Sequence, residues 1–168
     1  MMAFGMTDIA DKVQDFLVYL KYEKQYSSAT LKNYSLDLIK FITYLKVINI
    51  NMVSQITSDH IQNYINKLNR SGLIATSLAR KTSSIRSFFN YMIRKKMIKI
   101  NPSKKIIVPK KLQKLPYILS IEQVDLLCSI PSSSFASIRD KAMIELMYSS
   151  GLRLSEITSL NADSVSPK

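Results

Sequence analysis

Much of the usual chemistry of enzymes is missing from this sequence of 168 residues. One cysteine, Cys128, excludes an internal disulfide and any cysteine-based zinc site. One histidine, His60, rules out a His-based metal site and a Ser-His-Asp triad. The three glycines, Gly5, Gly72 and Gly151, are far apart, so there is no glycine-rich phosphate loop. No apolar run approaches the roughly 20 residues of a membrane helix. Residues 1–6 are too short and uncharged for a signal peptide. The expectation is a cytoplasmic protein with no cofactor, no metal and no membrane partner.

The most informative absence is of acid. From His60 to Ile121 there is no Asp or Glu, while 14 Lys and Arg are present. Residues 1–59 carry six basic and six acidic side chains, and residues 122–168 carry four and six. The net charge of +12 is therefore concentrated in the middle. Solubility is served by mixed signs, so a long one-sign segment implies a polyanion partner. Nucleic acid fits best, with an anionic membrane surface as the alternative.

What is present is helical patterning. Residues 8–22 place Ile9, Val13, Phe16, Leu17 and Leu20 on one face, with Thr7 or Asp8 as cap. After Ser27 and Ser28, a second helix to about Leu45 carries Leu31, Tyr34, Leu38, Phe41, Ile42 and Leu45. Residues 47–57 read as an irregular loop. A third helix opens at Thr57 or Ser58 and ends at Gly72, and a fourth runs from Thr76 or Ser77 to about Lys96. Four amphipathic helices with short connections, and almost no strand signal, predict a small all-α bundle over residues 8–96, behind a loose start at residues 1–7.

Residues 97–116 differ in kind: six lysines, no acid, and prolines at 102, 109 and 116. They are expected to form an extended basic linker, with the domain boundary there. Residues 117–168 predict three more helices: one capped by Ser120, one over 136–149, and one from about Leu154 to Leu160. About fifty residues bury little apolar surface, so this second domain is expected to be unfinished. Between the last two helices lies Gly151-Leu152-Arg153. Gly151 suits a left-handed helix end, and Arg153 is expected at a helix N-terminus, a geometry suited to anions. An ordinary surface pair with Glu156 is the alternative.

Several stretches occur in a telling order. They are residues 16–38 (FLVYLKYEKQYSSATLKNYSLDL), 79–91 (ARKTSSIRSFFNY), Asn101-Pro102, 108–116 (VPKKLQKLP), 119–124 (LSIEQV) and 151–157 (GLRLSEI). Together they resemble the tyrosine recombinases, the phage-integrase family, and within it the Xer-type enzymes that resolve chromosome dimers. The likeness covers about residues 8–165. It implies a four-helix SAM-like core-binding bundle followed by the first helices of an incomplete α+β catalytic domain.

It also implies a mechanism. A tyrosine attacks a scissile DNA phosphate and forms a 3′-phosphotyrosyl link, while arginines stabilise the transition state without metal. Arg153 matches the first catalytic arginine, and Glu156 matches an acid that orients it. The family's second and fourth helices face DNA, which implies contacts from Thr30, Lys32, Asn33, Ser77, Arg80, Lys81 and Arg86, with Lys110 and Lys111 adding charge in the linker.

No His-x-x-Arg element and no nucleophile helix follow Arg153. None of the nine tyrosines fits the nucleophile. His60 fits a polar residue at a helix start better than an acid–base group. The expectation is therefore a recombinase truncated after its first catalytic arginine. It would bind duplex DNA, be catalytically inactive alone, and join other recombinase subunits as a tetramer on DNA when full length. The alternatives are a stand-alone DNA-binding regulator or dominant-negative partner, and a basic interaction protein for RNA.

Overall fold

Helix caps set where the elements begin. The computed structural model describes residues 8–109, 117–129, 134–161 and 163. These contain seven α-helices and, among the described residues, no strand. Helix α1 is Asp8–Tyr22. Helix α2, Ser28–Val47, starts where the Ser27 hydroxyl accepts from the Thr30 N–H at 3.3 Å. Helix α3, Ser58–Arg70, opens with a reciprocal cap. The Thr57 hydroxyl accepts from the His60 N–H at 3.4 Å, and His60 Nδ1 accepts from the Thr57 N–H at 3.2 Å. That is the work of the only histidine.

Helix α4 is Ala75–Arg94. It starts at Ala75, behind Ile74, with no side-chain cap, so neither Thr76 nor Ser77 opens it. No helix is long and apolar enough to cross a membrane among the described residues.

The chain divides into two units, Met1–Gln113 and Lys114–Lys168. In the first, α1, α2 and α4 pack on one another and α3 closes against α2 and α4. Phe16, Leu38, Phe41, Leu45, Ile61, Ile65, Leu78, Ile85, Phe88 and Phe89 are fully buried. The Phe16 ring lies 5.7 Å from Phe88 and 5.3 Å from Tyr91, centre to centre. Tyr64 sits 5.2 Å from Phe41 and 5.1 Å from Tyr44. Offset aromatic pairs of this kind add about 0.5–1.5 kcal/mol each beyond area burial.

Residues 48–57 are irregular apart from a 3₁₀ turn at Val53–Gln55, and they are packed: Val53 is buried, with Ile50 and Ile56 on either side. Asp8 holds that turn, its Oδ2 accepting from the Val53 N–H at 3.1 Å.

Of the expected extended linker, residues 97–116, the part from 97 to 109 folds back onto the bundle, and residues 110–116 lie outside the described residues. Asn101, Ser103 and Ile106 are buried. Asn101 Oδ1 accepts from the Ser103 N–H at 2.8 Å and from its hydroxyl at 2.6 Å, while Asn101 Nδ2 donates to Asn90 Oδ1 at 2.7 Å. Gln62 exchanges two bonds with the Ile107 backbone, at 3.2 and 3.0 Å. A side chain that closes its own turn and buries its polar atoms is what an Asn-Pro-Ser sequence supplies.

The second unit holds α5 (Ile121–Cys128), α6 (Phe135–Ser150) and α7 (Leu154–Ile157). Ser120 and Gln123 form a reciprocal cap on α5, at 3.3 and 2.9 Å. Of the described residues here, only Val124 and Ile157 are buried apolar side chains. Helix α6 buries none, and its Phe135 is 83% exposed. Helix α7 is a single turn, shorter than the expected span to Leu160.

Candidate nucleic-acid interface and the Arg153 turn

The basic residues of α2 and α4 do not share one environment. Lys32 and Asn33 are exposed in the second turn of α2, and Thr30 is half-buried beside the Ser27 hydroxyl, 2.9 Å away. Ser77 is half-buried at the start of α4. One turn on, Arg80 has a side chain 46% exposed.

Lys81 differs from the expectation of a DNA contact. Its side chain is buried, and its ammonium donates to Asp37 Oδ1 at 2.8 Å. An ammonium held on a carboxylate inside the bundle has no open side for a phosphate. Asp37 lies on α2 and is itself only 2% exposed. Its other oxygen accepts from Arg80 Nη1 and from the Ser84 hydroxyl, the latter at 3.1 Å.

Arg86 also departs from a free phosphate contact. Its Nε donates to the Ser103 carbonyl at 3.4 Å and its Nη2 to the Ile106 carbonyl at 2.8 Å. It is exposed, yet two of its donors bracket the returning chain. Lys110 and Lys111 lie outside the described residues.

Asp37 is the residue that sequence reasoning missed. Its position was informative: it stands beside Leu38, three residues after Tyr34 and four before Phe41, on the edge of an apolar stripe. An acid there, opposite a helix with none, marks the partner for buried basic groups. Arg94 was also missed as an interaction. It donates to the Tyr19 hydroxyl and lies 5.8 Å from that ring's centre.

The turn at Arg153 starts where α6 stops. Gly151 adopts φ 66° and ψ 17°, and its N–H donates to the Met147 carbonyl at 2.9 Å. A left-handed residue here is why glycine is required. Arg153 then caps α7 in extended conformation. Its backbone N–H donates to Glu156 Oε2 at 2.8 Å, and its Nη1 donates to Glu156 Oε1 at 2.9 Å. The Arg153 side chain is 82% exposed. The N–H expected to face an anion is thus taken by the chain's own carboxylate. The Arg153 N–H foremost, and then its guanidinium, hold Glu156 below the usual carboxylate range.

The helical bundle, the capped returning segment and the Gly-Leu-Arg turn define a tyrosine-recombinase class of protein, and the comparisons agree. Residues 13–96 match the model described as phage integrase, N-terminal SAM-like domain, and residues 118–168 match the phage integrase family model. The chain belongs to the phage integrase family of tyrosine recombinases.

Among its relatives is tyrosine recombinase XerC of Proteus mirabilis, 35% identical over 153 residues, covering 91% of this chain and 50% of that protein. XerC of Histophilus somni (strain 2336) is 39% identical, covering 91% and 52%. Tyrosine recombinase XerD of Oceanobacillus iheyensis is 38% identical, covering 89% and 50%. The chain therefore spans about half the length of the curated relatives it matches. In fold it is similar to the Tn1549 transposon integrase, solved in complex with circular intermediate DNA. The TM-score is 0.65 at 15% identity, over 96% of this chain and 52% of that one.

Proposed function

We propose that this chain is the DNA-holding half of a site-specific tyrosine recombinase, and that its first unit grips duplex DNA through α2 and α4. The observation that carries this is the acid-free span from His60 to Ile121, which includes the whole of α4 and presents Arg80 at its surface. Lys32, Asn33, Thr30 and Ser77 complete the set, with Lys110 and Lys111 beyond the described residues. Contacts of these kinds go to phosphates, so they position the protein and read little sequence. Lys81 and Arg86 stand outside this set, because they are spent within the unit, on Asp37 and on the Ser103 and Ile106 carbonyls.

Arg153 would meet the scissile phosphate, with Glu156 fixing its guanidinium. Only Nη1 of Arg153 is engaged among the described residues, so a fork remains for phosphate oxygens. By itself this chain binds DNA and does not cleave it. In support, Tyr19, Tyr64 and Tyr91 are buried in the bundle, and the Tyr117 hydroxyl pairs with Gln123 at 3.0 Å. Assembly with other recombinase subunits on DNA, in chromosome partition at cell division or in integration of mobile DNA, follows from the Xer likeness.

The test is a gel shift with duplex DNA and with RNA as competitor. Duplex is expected to win, and affinity is expected to fall on the order of 10²–10³-fold from about 50 to about 200 mM salt for the roughly five cationic phosphate contacts named. Equal competition by RNA would refute the reading. A covalent protein–DNA adduct on a nicked suicide substrate would refute inactivity.

A further inference from the structure

The first unit buries one carboxylate among two cations, and the arrangement is lopsided. Asp37 gives one oxygen to the Lys81 ammonium and the other to the Ser84 hydroxyl and Arg80 Nη1. One negative charge faces two positive ones. Lys81 is buried with Asp37 and balances it. The charge of Arg80 is left over, and Arg80 is the member that reaches solvent.

Lys81 and Ser84 suffice to balance a buried carboxylate. Arg80 adds something else: it is tied at Nη1, no other bond of its guanidinium is seen among the described residues, and its side chain is 46% exposed, on a helix that has no acid to compete for it. A guanidinium fixed in this way has lost its rotamer freedom before any phosphate arrives.

We propose that Asp37 is a positioning residue for DNA binding, holding the Arg80 guanidinium in the orientation that takes a backbone phosphate. It touches no DNA and acts through Arg80. This rests on the DNA-binding reading above. It goes further by assigning a role to a buried acid, whose charge would otherwise count against binding a polyanion.

The test uses the whole chain and a short duplex, read by fluorescence anisotropy at fixed salt beside a thermal melt followed by circular dichroism. Lys81→Met keeps the Asp37–Arg80 link and is expected to change affinity less than about twofold. Asp37→Asn with Lys81→Met leaves the net charge of the natural chain but releases Arg80, and affinity is expected to fall about three- to tenfold. Adding Arg80→Ala to that pair should then cost much less than it costs in the natural chain. Arg80→Lys preserves charge at a half-exposed site, so it folds whatever the buried pair does. A single ammonium on Asp37 leaves no outward fork, and a loss of threefold or more is expected.

The proposal is overturned if a folded Asp37→Asn/Lys81→Met protein binds like the natural chain, or if Arg80→Lys does. If the natural chain binds no duplex at low salt, the DNA-binding reading falls and takes this one with it. If the natural chain binds and only these variants behave unexpectedly, the DNA-binding reading stands and the role of Asp37 alone is refuted.

Discussion

Tyr64 holds a hydroxyl that is buried with no hydrogen-bond partner among the described residues. Such a group costs about 1–3 kcal/mol when left unpaired. Its ring packs on Phe41 and Tyr44, so Tyr64→Phe keeps the packing and removes the cost. Unfolding in urea should show stability unchanged or raised by up to about 1 kcal/mol, and a loss of more than that would reveal a partner for the hydroxyl. Burial first, and then the charge of Asp37, push the Tyr64 ionisation up to about 12. The folded value lies above the unfolded one, so this contribution is fully present below about pH 10 and is lost as pH rises toward about 12. The natural chain should therefore weaken more than Tyr64→Phe between about pH 9 and about pH 11, as read from the urea midpoint.

Glu156 runs the other way. Its folded value is depressed, so its contribution exists above the ordinary carboxylate range and fades as pH falls through the lowered value. The backbone N–H of Arg153 is the larger cause, so Arg153→Ala should leave most of the depression in place. Carbon-13 titration of the Glu156 carboxyl checks this. Titration at the ordinary carboxylate value in Arg153→Ala would assign the effect to the guanidinium instead.

Among the elements, the returning segment 97–109 decides how firm the first unit is beyond α4. Asn101 accepts twice from Ser103 and donates once to Asn90. Asn101→Ala removes all three bonds and should cost about 1–3 kcal/mol. Trypsin should then cut faster after Lys99, Lys104 and Lys105, all exposed, while α1 to α4 persist. Equal cutting rates in the two proteins would show that the segment is held by other means.

The helices themselves were legible from spacing, because Ile9, Phe16, Leu38, Phe41, Ile61, Leu78 and Phe88 repeat at helical intervals and each is buried where the pattern puts it. The segment after α4 was not legible. Its lysines and prolines look like a linker, and nothing local shows that Arg86 and Gln62, far earlier in the chain, supply partners for its backbone. The same reason hid the fate of Lys81: charge is visible in sequence, but which side of α4 faces Asp37 is set by packing. At the Arg153 turn, Gly151 was readable from its type, whereas the capture of the Arg153 N–H by Glu156 depended on the turn's shape.

Over the whole molecule, the two units differ in what holds them. The first closes a core from four helices and a returning strap. The second, among its described residues, buries little beyond Val124 and Ile157. Limited proteolysis should therefore leave a fragment near residues 8–109 and consume residues 117–161. Survival of both units at equal rates would contradict this. The charge is also uneven: a cationic middle between two near-balanced ends. The protected fragment should still bind a polyanion, but with a shallower salt dependence than the whole chain, because it ends before Lys110, Lys111 and Arg153.

The aromatic packing of the bundle has a practical corollary. The chain has no tryptophan, and only tyrosine and phenylalanine supply its near-ultraviolet spectrum. Tyr19, Tyr64 and Tyr91 are locked among other rings in the first unit, whereas Tyr117 and Tyr148 of the second are exposed. Near-ultraviolet circular dichroism, which needs aromatic groups in fixed asymmetric surroundings, will therefore be a signal of the bundle alone. Quenching of tyrosine emission by iodide will sample Tyr117, Tyr22 and Tyr148 first, so it reports on both units, whereas the dichroism follows the packed rings of the bundle, with no dye attached.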